Sequence, residues 1–370
     1  MKLTTTQDAP IDLLAPRSPA RAADPCRTLL ALGEEAMAQR QYERAYDLFS
    51  SAAGCDASDA DGERYRREIN RAVRALVPRW HFGMMNDVER NQAYAKAIQQ
   101  VVGEGQLVLD IGTGGGLLAL LAARSGAERV VTVEAVDVVA ATAREIVGKN
   151  GYADVVNVVS GFSTDLRVGV NLPRRADVLV TEIFDCALLG EFAVPALKHA
   201  RRELLTPDAV VLPRSGRLFA QFVESPELHS LNHVGEVEGF DFSPFASLTS
   251  LEYFSTTLTN YRHRPLTDPV EVFRFDFAED IEPAAQQFEI TPVESGAAHA
   301  VVMWFELDLA EGITLSNSPS DSGSHWKQAI QTLPEPWRLK KDSPHRFRAA
   351  HDGQRVLVGP ASKVPHTQVR

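Results

Sequence analysis

The sequence predicts an α/β protein with a second, antiparallel part, and three patterns support this. Between residues 77 and 214, helical stretches alternate with short apolar runs such as QLVLDI, RVVTVEA and DVLVTEIF. This alternation indicates a parallel sheet with crossover helices, as in a Rossmann-like domain. After Pro213, alternating aromatic segments such as RLFAQFVES and VEVFRFDF indicate an antiparallel sheet or barrel. Residues 215–370 are therefore expected to form an antiparallel sheet or barrel domain.

The third pattern is helical and lies near the N-terminus. Residues 1–24 are rich in Pro, Ala, Asp and Thr without a period, which predicts a disordered lead-in. Residues 25–76 follow a helical pattern that is tetratricopeptide-like. The spacings of a tetratricopeptide helix pair are matched by Leu32, Gly33, Ala45, Phe49 and Ala52. One unit is too short for a solenoid, so a helical hairpin packed on the main domain is favoured over a peptide-binding repeat.

Composition narrows the class of protein. The 370 residues are 44% hydrophobic and 24% charged, as in soluble globular proteins. The net charge, 38 − 49 = −11, argues against a general nucleic-acid surface and favours basic substrates. We expect a cytoplasmic protein without membrane contact, because no stretch is long enough to span a bilayer and no secretory signal is evident. The cysteines at 26, 55 and 186 are scattered, which predicts free thiols and no metal.

A glycine-rich loop marks the candidate nucleotide site. In VLDIGTGGGLLAL, an apolar strand runs through Gly112, Gly114 and Gly116 into a helix. Glycine is needed where the backbone turns tightly and a ligand lies against it. Glu134 ends the next predicted strand, where a carboxylate can accept both ribose hydroxyls.

The residues around this loop decide between nucleotides. A dinucleotide fingerprint has Gly or Ala at its last position, and this chain has Leu117. The GxGxG form, with Asp110 immediately before the turn, resembles class I S-adenosylmethionine methyltransferases instead.

Two glutamates are the strongest candidates for chemistry. Glu182 and Glu191, in TEIFDCALLGE, lie nine positions apart (191 − 182 = 9). They follow the glycine loop by a strand-helix-strand distance, so we expect them at the edge of the same site. There they would form a clamp for a cation, and a guanidinium is the obvious one because its planar fork matches carboxylates. Below, "the clamp" means these two residues.

A helix is predicted before the sheet, in RWHFGMMNDVERNQAYAKAI. On one continuous helix, Met84, Asp87 and Arg90 would share a side, with His81 one step further back. Arg90 could pair with a cofactor carboxylate. By themselves, such residues are more often a solvated face with a core methionine.

Four parts of the chain together resemble the protein arginine N-methyltransferases. They are the HFGMMNDVER helix, the VLDIGTGGG loop with Glu134, the double-glutamate loop, and SHWKQ at 324–328, where Ser324 replaces the family's Thr. The resemblance covers residues 80 to about 333. FSTDL and VLVTEIFDCALLGE look most like the monomethylating, type III branch.

The resemblance implies a class I methyltransferase domain that uses S-adenosylmethionine, a β-barrel with a dimerisation arm near 225–258, and hence a homodimer. The cofactor-binding residues that it implies are His81, Met84, Arg90, Asp110, Gly112, Gly114, Glu134, Ser163, Thr164, Asp165 and Glu182. The catalytic residues that it implies are Glu182, Glu191, His325 and Asp87.

The chemistry of guanidinium methylation explains the clamp. Two carboxylates orient one nitrogen towards the methyl carbon and offset the charges of two adjacent cations. The methylated nitrogen must lose a proton, to Glu191 or through His325 and Asp87. A structural role for His325 is equally open. Met84 would either limit the room for a second methyl group or serve in ordinary packing.

Three functions stay open. The favoured one is methylation of free L-arginine to Nω-monomethyl-arginine in a bacterial natural-product pathway, such as antibiotic biosynthesis. The second is methylation of arginine within Gly- and Arg-rich protein segments. The third is a catalytically silent scaffold that binds partners through residues 25–76. The presence of both clamp glutamates argues against this third function.

Overall fold

The computed structural model describes residues 24–55, 59–321 and 323–360. The described residues divide into two compact units, the first ending at Val77 and the second beginning at Pro78. The predicted lead-in, residues 1–24, lies outside the described residues except for Asp24. The Asp24 carboxylate accepts a hydrogen bond from the Cys26 N–H at 3.1 Å and so caps the first helix.

Within its described residues, the first unit contains helices α1 (Pro25–Ala38), α2 (Tyr42–Cys55) and α3 (Asp59–Leu76). Phe49 on α2 is fully buried against α1. A Cβ added at Gly33 would lie 2.4 Å from Phe49 Cε1, so glycine there allows the two helices to approach. Leu32, which the pattern also included, is 39% exposed. The tetratricopeptide-like assignment stays a prediction.

The second unit begins with a parallel α/β half. Its elements are α4 (Trp80–Met85), α5 (Val88–Val101), β1 (Leu107–Ile111), α6 (Leu117–Arg124), β2 (Arg129–Glu134), α7 (Asp137–Lys149), β3 (Val156–Ser160), β4 (Ala176–Thr181), α8 (Ala193–His199) and β5 (Leu205–Leu212). In the described part of the chain, these strands form one sheet in the order β3-β2-β1-β4-β5, and every pair is parallel. The predicted Rossmann-like domain is confirmed.

The remainder of the second unit is antiparallel. Its elements are β6 (Ser215–Glu224), α9 (Pro226–Ser230), β7 (Glu236–Val237), β8 (Phe240–Asp241), β9 (Phe254–Thr256), β10 (Arg264–Pro265), β11 (Val270–Asp276), β12 (Ala284–Ile290), β13 (Gly296–Ala310), β14 (Ile313–Ser316), β15 (Gln328–Leu339), β16 (His345–His351) and β17 (Val356–Pro360). One sheet follows the path β10-β6-β13-β15-β9, with β11 on β6 and β14 on β13. A second sheet has the order β12-β16-β17, and β7 pairs with β8. The antiparallel sheet domain is confirmed, and closure into a barrel stays a prediction.

The parallel and antiparallel halves share one hydrophobic core. Leu188, in the loop after β4, is fully buried. A Cβ added at Gly216 on β6 would lie 2.7 Å from Leu188 Cδ2. The loop that carries the clamp is therefore held against the first antiparallel strand.

The prediction of one continuous helix through residues 79–98 is wrong. The structure has α4 and α5, with Asn86 and Asp87 between them. Asp87 has an extended backbone (φ −75°, ψ 96°), and its Oδ1 accepts the Arg90 N–H at 2.9 Å. Aspartate favours this N-cap geometry over a helix interior, because its short side chain competes for backbone N–H groups.

The predicted arm, residues 225–258, carries short elements and many exposed apolar side chains. Their exposed fractions range from 41% at Val237 to 72% at Leu248. None of the helices in the described part of the chain is long and apolar enough to cross a membrane.

Candidate active site

The site residues of the parallel half meet at one edge of the sheet. Gly112 follows β1, Glu134 ends β2, Ser163 follows β3, and Glu182 follows β4. The strand order reverses between β1 and β4, which opens a crevice at the carboxyl ends of these strands. The topology therefore gathers residues that lie far apart in the sequence.

The glycine loop follows a left-handed path that other residues rarely adopt. Gly112, Gly114 and Gly116 have φ values of 88°, 50° and 83°. A Cβ at Gly112 would lie 2.5 Å from Ile183 Cγ2. Glycine at 112 therefore brings the loop after β1 against the residue that follows Glu182.

Glu134 is fixed by backbone donors. Its Oε2 accepts the Gly114 N–H at 3.0 Å, and its Oε1 accepts the Val136 N–H at 3.0 Å. Each carboxylate oxygen has a second lone pair that can accept a hydroxyl. The carboxylate is thus oriented for the ribose contact expected from the sequence.

Asp110 is fully buried beneath the loop. Its Oδ2 accepts the Thr132 hydroxyl at 2.6 Å, whereas Oδ1 has no hydrogen-bond partner within the described residues. Burial raises the pKa of Asp110 to about 7.

Arg90 and Glu182 form a buried ion pair that sequence reasoning missed. The Arg90 Nη2 lies 2.5 Å from Glu182 Oε2, and both side chains are 4% exposed. Arg90 Nη1 donates to Asn91 Oδ1 at 2.8 Å, while its Nε has no partner among the described residues. The pKa of Glu182 is raised to about 7, and burial is the largest cause. The positive charge of Arg90 lowers this pKa, whereas the negative charge of Glu191 contributes to raising it.

Glu191 lies in a tight loop with φ 56°. The loop closes on Asp185, whose Oδ1 accepts the N–H groups of Ala187 and Gly190 at 3.0 and 3.1 Å. Burial and then the charge of Asp185 raise the pKa of Glu191 to about 6, although its side chain reaches the surface of a cavity. The sequence analysis did not identify Asp185. The local signal for it was the tendency of aspartate to accept a hydrogen bond from the backbone N–H two residues later in the chain.

Asp87 links helix α5 to the SHWKQ loop. Its Oδ2 accepts both the N–H and the ring Nδ1–H of His325, each at 2.9 Å. Burial raises the pKa of Asp87, but the hydrogen bonds from Arg90 and His325 outweigh it, so the net pKa is lowered. Burial lowers the pKa of His325, and this effect outweighs the hydrogen bond and negative charge of Asp87, which raise it. The net lowering favours the neutral imidazole.

One cavity of about 480 Å³, the inner cavity, brings four predicted residues together. Met84, Glu182, Glu191 and His325 all line it. The lining residues that the sequence did not indicate are Trp80, Phe184, Asp185, Cys186, Tyr253, Ser255, Trp326 and Lys327. A carboxylate pair in a cavity that is also lined by two tryptophans, a phenylalanine and a tyrosine is suited to a flat organic cation.

Other predicted residues lie outside the lining of this cavity. His81 is half-buried, stacks on Trp80 with ring centroids 3.8 Å apart, and lies with Nδ1 3.0 Å from Pro78 O. Residues 163–165 form a 3₁₀ turn after β3, in which Ser163 is buried, Thr164 half-buried and Asp165 exposed. The roles of these four residues stay predictions.

Known protein families match both halves of the second unit. Residues 92–202 match the model of ribosomal protein L11 methyltransferase, and residues 214–351 match the oligomerization subdomain of arginine methyltransferases. The chain is 38% identical over 333 residues to an arginine N(omega)-methyltransferase of Streptomyces achromogenes subsp. streptozoticus, and the match covers 90% of each chain. The chain belongs to the arginine methyltransferase family.

Another member of the arginine methyltransferase family is similar over a smaller share of the chain. The chain is 32% identical over 335 residues to protein arginine N-methyltransferase 7 of Drosophila yakuba. That match covers 78% of this chain and 48% of the relative, so the chain spans about half the length of the fly protein.

Two solved structures are similar in fold. The Trypanosoma brucei PRMT1 enzyme–prozyme complex with AdoHcy matches with a TM-score of 0.65 and 25% identity, covering 73% of this chain and 86% of that one. Arabidopsis thaliana protein arginine methyltransferase 10 matches with a TM-score of 0.61 and 22% identity, covering 76% of this chain and 93% of that one, which bears on the fold alone.

The residues of this arginine methyltransferase fit S-adenosylmethionine. The cofactor carries a carboxylate, an ammonium and two ribose hydroxyls. The crevice offers the Arg90 guanidinium with a buried unpartnered Nε, the buried Asp110 with an unpartnered oxygen, and the oriented Glu134. The left-handed glycine loop between them leaves the backbone open to a ligand.

Proposed function

We propose that this arginine methyltransferase transfers a methyl group from S-adenosylmethionine to an ω-nitrogen of free L-arginine, giving mainly Nω-monomethyl-arginine. The observation that carries the proposal is the presence of Glu182 and Glu191 in one cavity, directly after the sheet edge that bears the glycine loop. The similarity to an arginine N(omega)-methyltransferase over 90% of both chains supports a free amino acid as substrate.

The clamp accounts for reactivity at a delocalised cation. The cofactor supplies an electrophilic methyl group on a positively charged sulfur. Glu182 and Glu191 accept N–H groups of the guanidinium, draw its positive charge towards the bonded nitrogens, and direct the remaining one at the methyl carbon. Arg90 holds one oxygen of Glu182 and thereby fixes the direction in which that carboxylate accepts.

Glu191 is the stronger candidate for the proton acceptor. Its raised pKa of about 6 makes it a better base than an ordinary carboxylate. The Nδ1 of His325 is engaged by Asp87, which also caps α5. We assign these two residues the role of anchoring the start of α5, and with it Arg90, to the SHWKQ loop.

The inner cavity also supports the monomethyl product. Met84, Phe184 and Trp326 line it together with the clamp. Trp326 is held by a hydrogen bond from its Nε1–H to Phe184 O at 3.2 Å. A fixed aromatic wall restricts the rotation that a methylated guanidinium would need to present its second nitrogen.

The proposal is tested by incubating the full chain with isotope-labelled S-adenosylmethionine and either L-arginine or a Gly- and Arg-rich peptide, with products identified by mass spectrometry. We expect label in Nω-monomethyl-arginine from the free amino acid. Label in the peptide alone would favour the second candidate, methylation of protein-bound arginine, which the similarity to protein arginine N-methyltransferase 7 supports. No product from either substrate would favour a silent scaffold built on the helices of residues 25–76.

We also propose that the protein acts as a homodimer formed through the arm. The oligomerization-subdomain match spans residues 214–351 and includes the arm. Exposed apolar side chains concentrate there, and clusters of exposed apolar side chains are found at protein interfaces. The proposed role in a natural-product pathway stays a prediction from the sequence.

A further inference from the structure

The inner cavity does not end at the clamp. A second cavity of about 320 Å³, the outer cavity, shares Asp185, Glu191 and Tyr253 with it. The outer cavity is also lined by Glu252 and Arg355. Glu191 therefore lies between the inner cavity, where we propose that the guanidinium binds, and the outer cavity, which contains Glu252 and Arg355 (the Glu–Arg pair).

Glu252 and Arg355 present opposite charges to this cavity. Arg355 Nη1 lies 2.6 Å from Glu252 Oε1, and the two side chains are 62% and 54% exposed. An ion pair as exposed as this one contributes little to stability. A contribution to folding therefore does not account for its position beside the clamp.

The loops that carry the pair are held in place by local hydrogen bonds. Asp352 Oδ1 accepts the N–H groups of Gln354 and Arg355, both at 2.8 Å, and fixes the turn between β16 and β17. Tyr253, next to Glu252, donates its hydroxyl to Asp185 Oδ2 at 2.6 Å, and Asp185 in turn closes the loop of Glu191. Hydrogen bonds thus fix the turn that carries Arg355 and, separately, tie the neighbour of Glu252 to the loop of Glu191.

The charges of the pair match the backbone end of a free amino acid. Free arginine carries an α-carboxylate and an α-ammonium on one carbon, whereas a residue within a peptide has a neutral amide on each side. Arg355 offers a planar fork to a carboxylate, and Glu252 accepts from an ammonium. Lys327 lines the inner cavity, beside the clamp, and not the outer one.

We propose that Glu252 and Arg355 form an α-amino-acid subsite, in which Arg355 binds the α-carboxylate and Glu252 the α-ammonium of the arginine whose guanidinium is held by Glu182 and Glu191. This inference rests on the proposed methylation of free arginine and names the residues that would select it. Binding exchanges the ion pair between the two side chains for two ion pairs with the substrate.

The test compares Arg355→Gln and Glu252→Gln with the matched control Arg346→Gln. Arg346 lies on β16, and its exposed side chain pairs with exposed Glu289 at 3.5 Å, away from both cavities. Initial rates are measured with L-arginine, with agmatine, which lacks the carboxylate, and with Nα-acetyl-L-arginine, which lacks the ammonium.

We expect Arg355→Gln to raise the KM for L-arginine by roughly 10- to 100-fold with kcat nearly unchanged, since a charge-assisted pair that positions the substrate is lost. The KM for agmatine should not change. Glu252→Gln should abolish the preference for L-arginine over its Nα-acetyl derivative, and Arg346→Gln should behave as the unsubstituted protein. An unchanged KM for L-arginine in both subsite variants would overturn the subsite.

Calorimetry separates failure of the subsite from failure of the proposed function. If the unsubstituted protein neither binds nor methylates L-arginine but methylates the peptide, the proposed function fails and the subsite with it. If the unsubstituted protein methylates L-arginine and Arg355→Gln binds it equally well, the subsite alone is overturned. Circular dichroism and cofactor affinity of each variant verify that its fold is intact.

Discussion

At the scale of residues, Glu182 shares its carboxylate between two guanidinium groups. One belongs to Arg90, at 2.5 Å, and the other is that of the proposed substrate. Burial is the largest cause that raises the pKa of Glu182 to about 7 and that of Glu191 to about 6, and nearby negative charges, Glu191 for the first and Asp185 for the second, also raise them. A cation between the two glutamates relieves the cost of burying these charges, so the clamp favours an occupied site.

We expect Glu182→Gln and Glu191→Gln each to lower kcat by at least roughly 100-fold, because charge stabilisation in the transition state is lost. Cofactor affinity, measured by calorimetry, should change much less for Glu191→Gln. The exposed Glu145→Gln on α7 is the matched control. Near-normal turnover in both clamp variants would contradict the clamp assignment.

The raised pKa values predict a pH dependence. Both carboxylates must be ionised to bind a guanidinium, and the folded state favours their protonated forms. We therefore expect kcat/KM for arginine to fall roughly tenfold per pH unit between pH 7 and 6, where Glu182 becomes protonated, and roughly 100-fold per pH unit below pH 6, where both carboxylates are protonated. The same groups stabilise the substrate-free fold below their unfolded pKa of 4.5 and lose that contribution as the pH rises through 6 to 7. A pH-independent kcat/KM between pH 5 and 8 would contradict these raised values.

Arg90 has a role that can be separated from the clamp. We expect Arg90→Ala to weaken cofactor binding and to leave Glu182 as an unpaired buried carboxylate, whose pKa then rises further. Calorimetry with the cofactor and the pH profile of kcat/KM measure the two effects. Arg124→Ala, at an exposed position at the end of α6, is the control. Unchanged cofactor affinity would remove Arg90 from the cofactor site.

At the scale of elements, the break between α4 and α5 organises the site. Asp87 stops the first helix, caps the second, and binds His325 from the antiparallel half. Met84 is thereby left to line the inner cavity while Arg90 reaches Glu182. On one continuous helix, these three side chains would share one face at a fixed spacing. The break between the helices instead lets Met84 line the cavity, Asp87 bind His325 and Arg90 bind Glu182.

We expect Asp87→Ala to lower the free energy of unfolding by roughly 3 kcal/mol, since a lost N-cap costs about 1 kcal/mol and a lost charge-assisted hydrogen bond about 2 kcal/mol. Asp87→Asn keeps an oxygen for the cap and should lose about half as much. Urea denaturation measures both. Equal stability of the alanine variant and the unsubstituted chain would show that neither interaction matters.

At the scale of the whole molecule, the second unit combines a parallel half that bears the glycine loop with an antiparallel half, and both line the inner cavity. β1 to β5 supply the sheet edge, whereas Tyr253, Ser255 and the SHWKQ loop supply the opposite wall of the inner cavity. The shared hydrophobic core keeps both walls in one compact unit. Most of the arm's apolar side chains point away from this core, which leaves them available to a second copy of the chain.

We expect the double substitution of Phe240 and Phe245 by Ser to convert a dimer into a monomer, because these side chains are 69% and 58% exposed on the arm. Analytical ultracentrifugation measures the mass in solution. Val170→Ser, at an apolar position that is 78% exposed outside the arm, is the control. A dimer that survives the double substitution would place the interface elsewhere.

The sequence predicted what depends on local patterns. Alternating helices and apolar runs indicated the parallel sheet, and glycine spacing indicated the loop after β1, because tight turns and buried strands restrict which residue types are tolerated. The sequence also placed Met84, Glu182, Glu191 and His325 in one site. It gave a wrong continuous helix at residue 87, where one side-chain hydrogen bond outweighed the periodic pattern.

By itself, then, the sequence predicted the family, the parallel and antiparallel halves, and the residues that we propose carry the chemistry. Only the tertiary structure decided which charges meet. Arg90 and Glu182 are 92 positions apart, and Asp87 and His325 are 238 apart, so no local pattern relates them. Ion pairs of this kind depend on packing in three dimensions, which also sets the burial that raises the pKa values of the clamp and brings Glu252 and Arg355 to the cavity beside it.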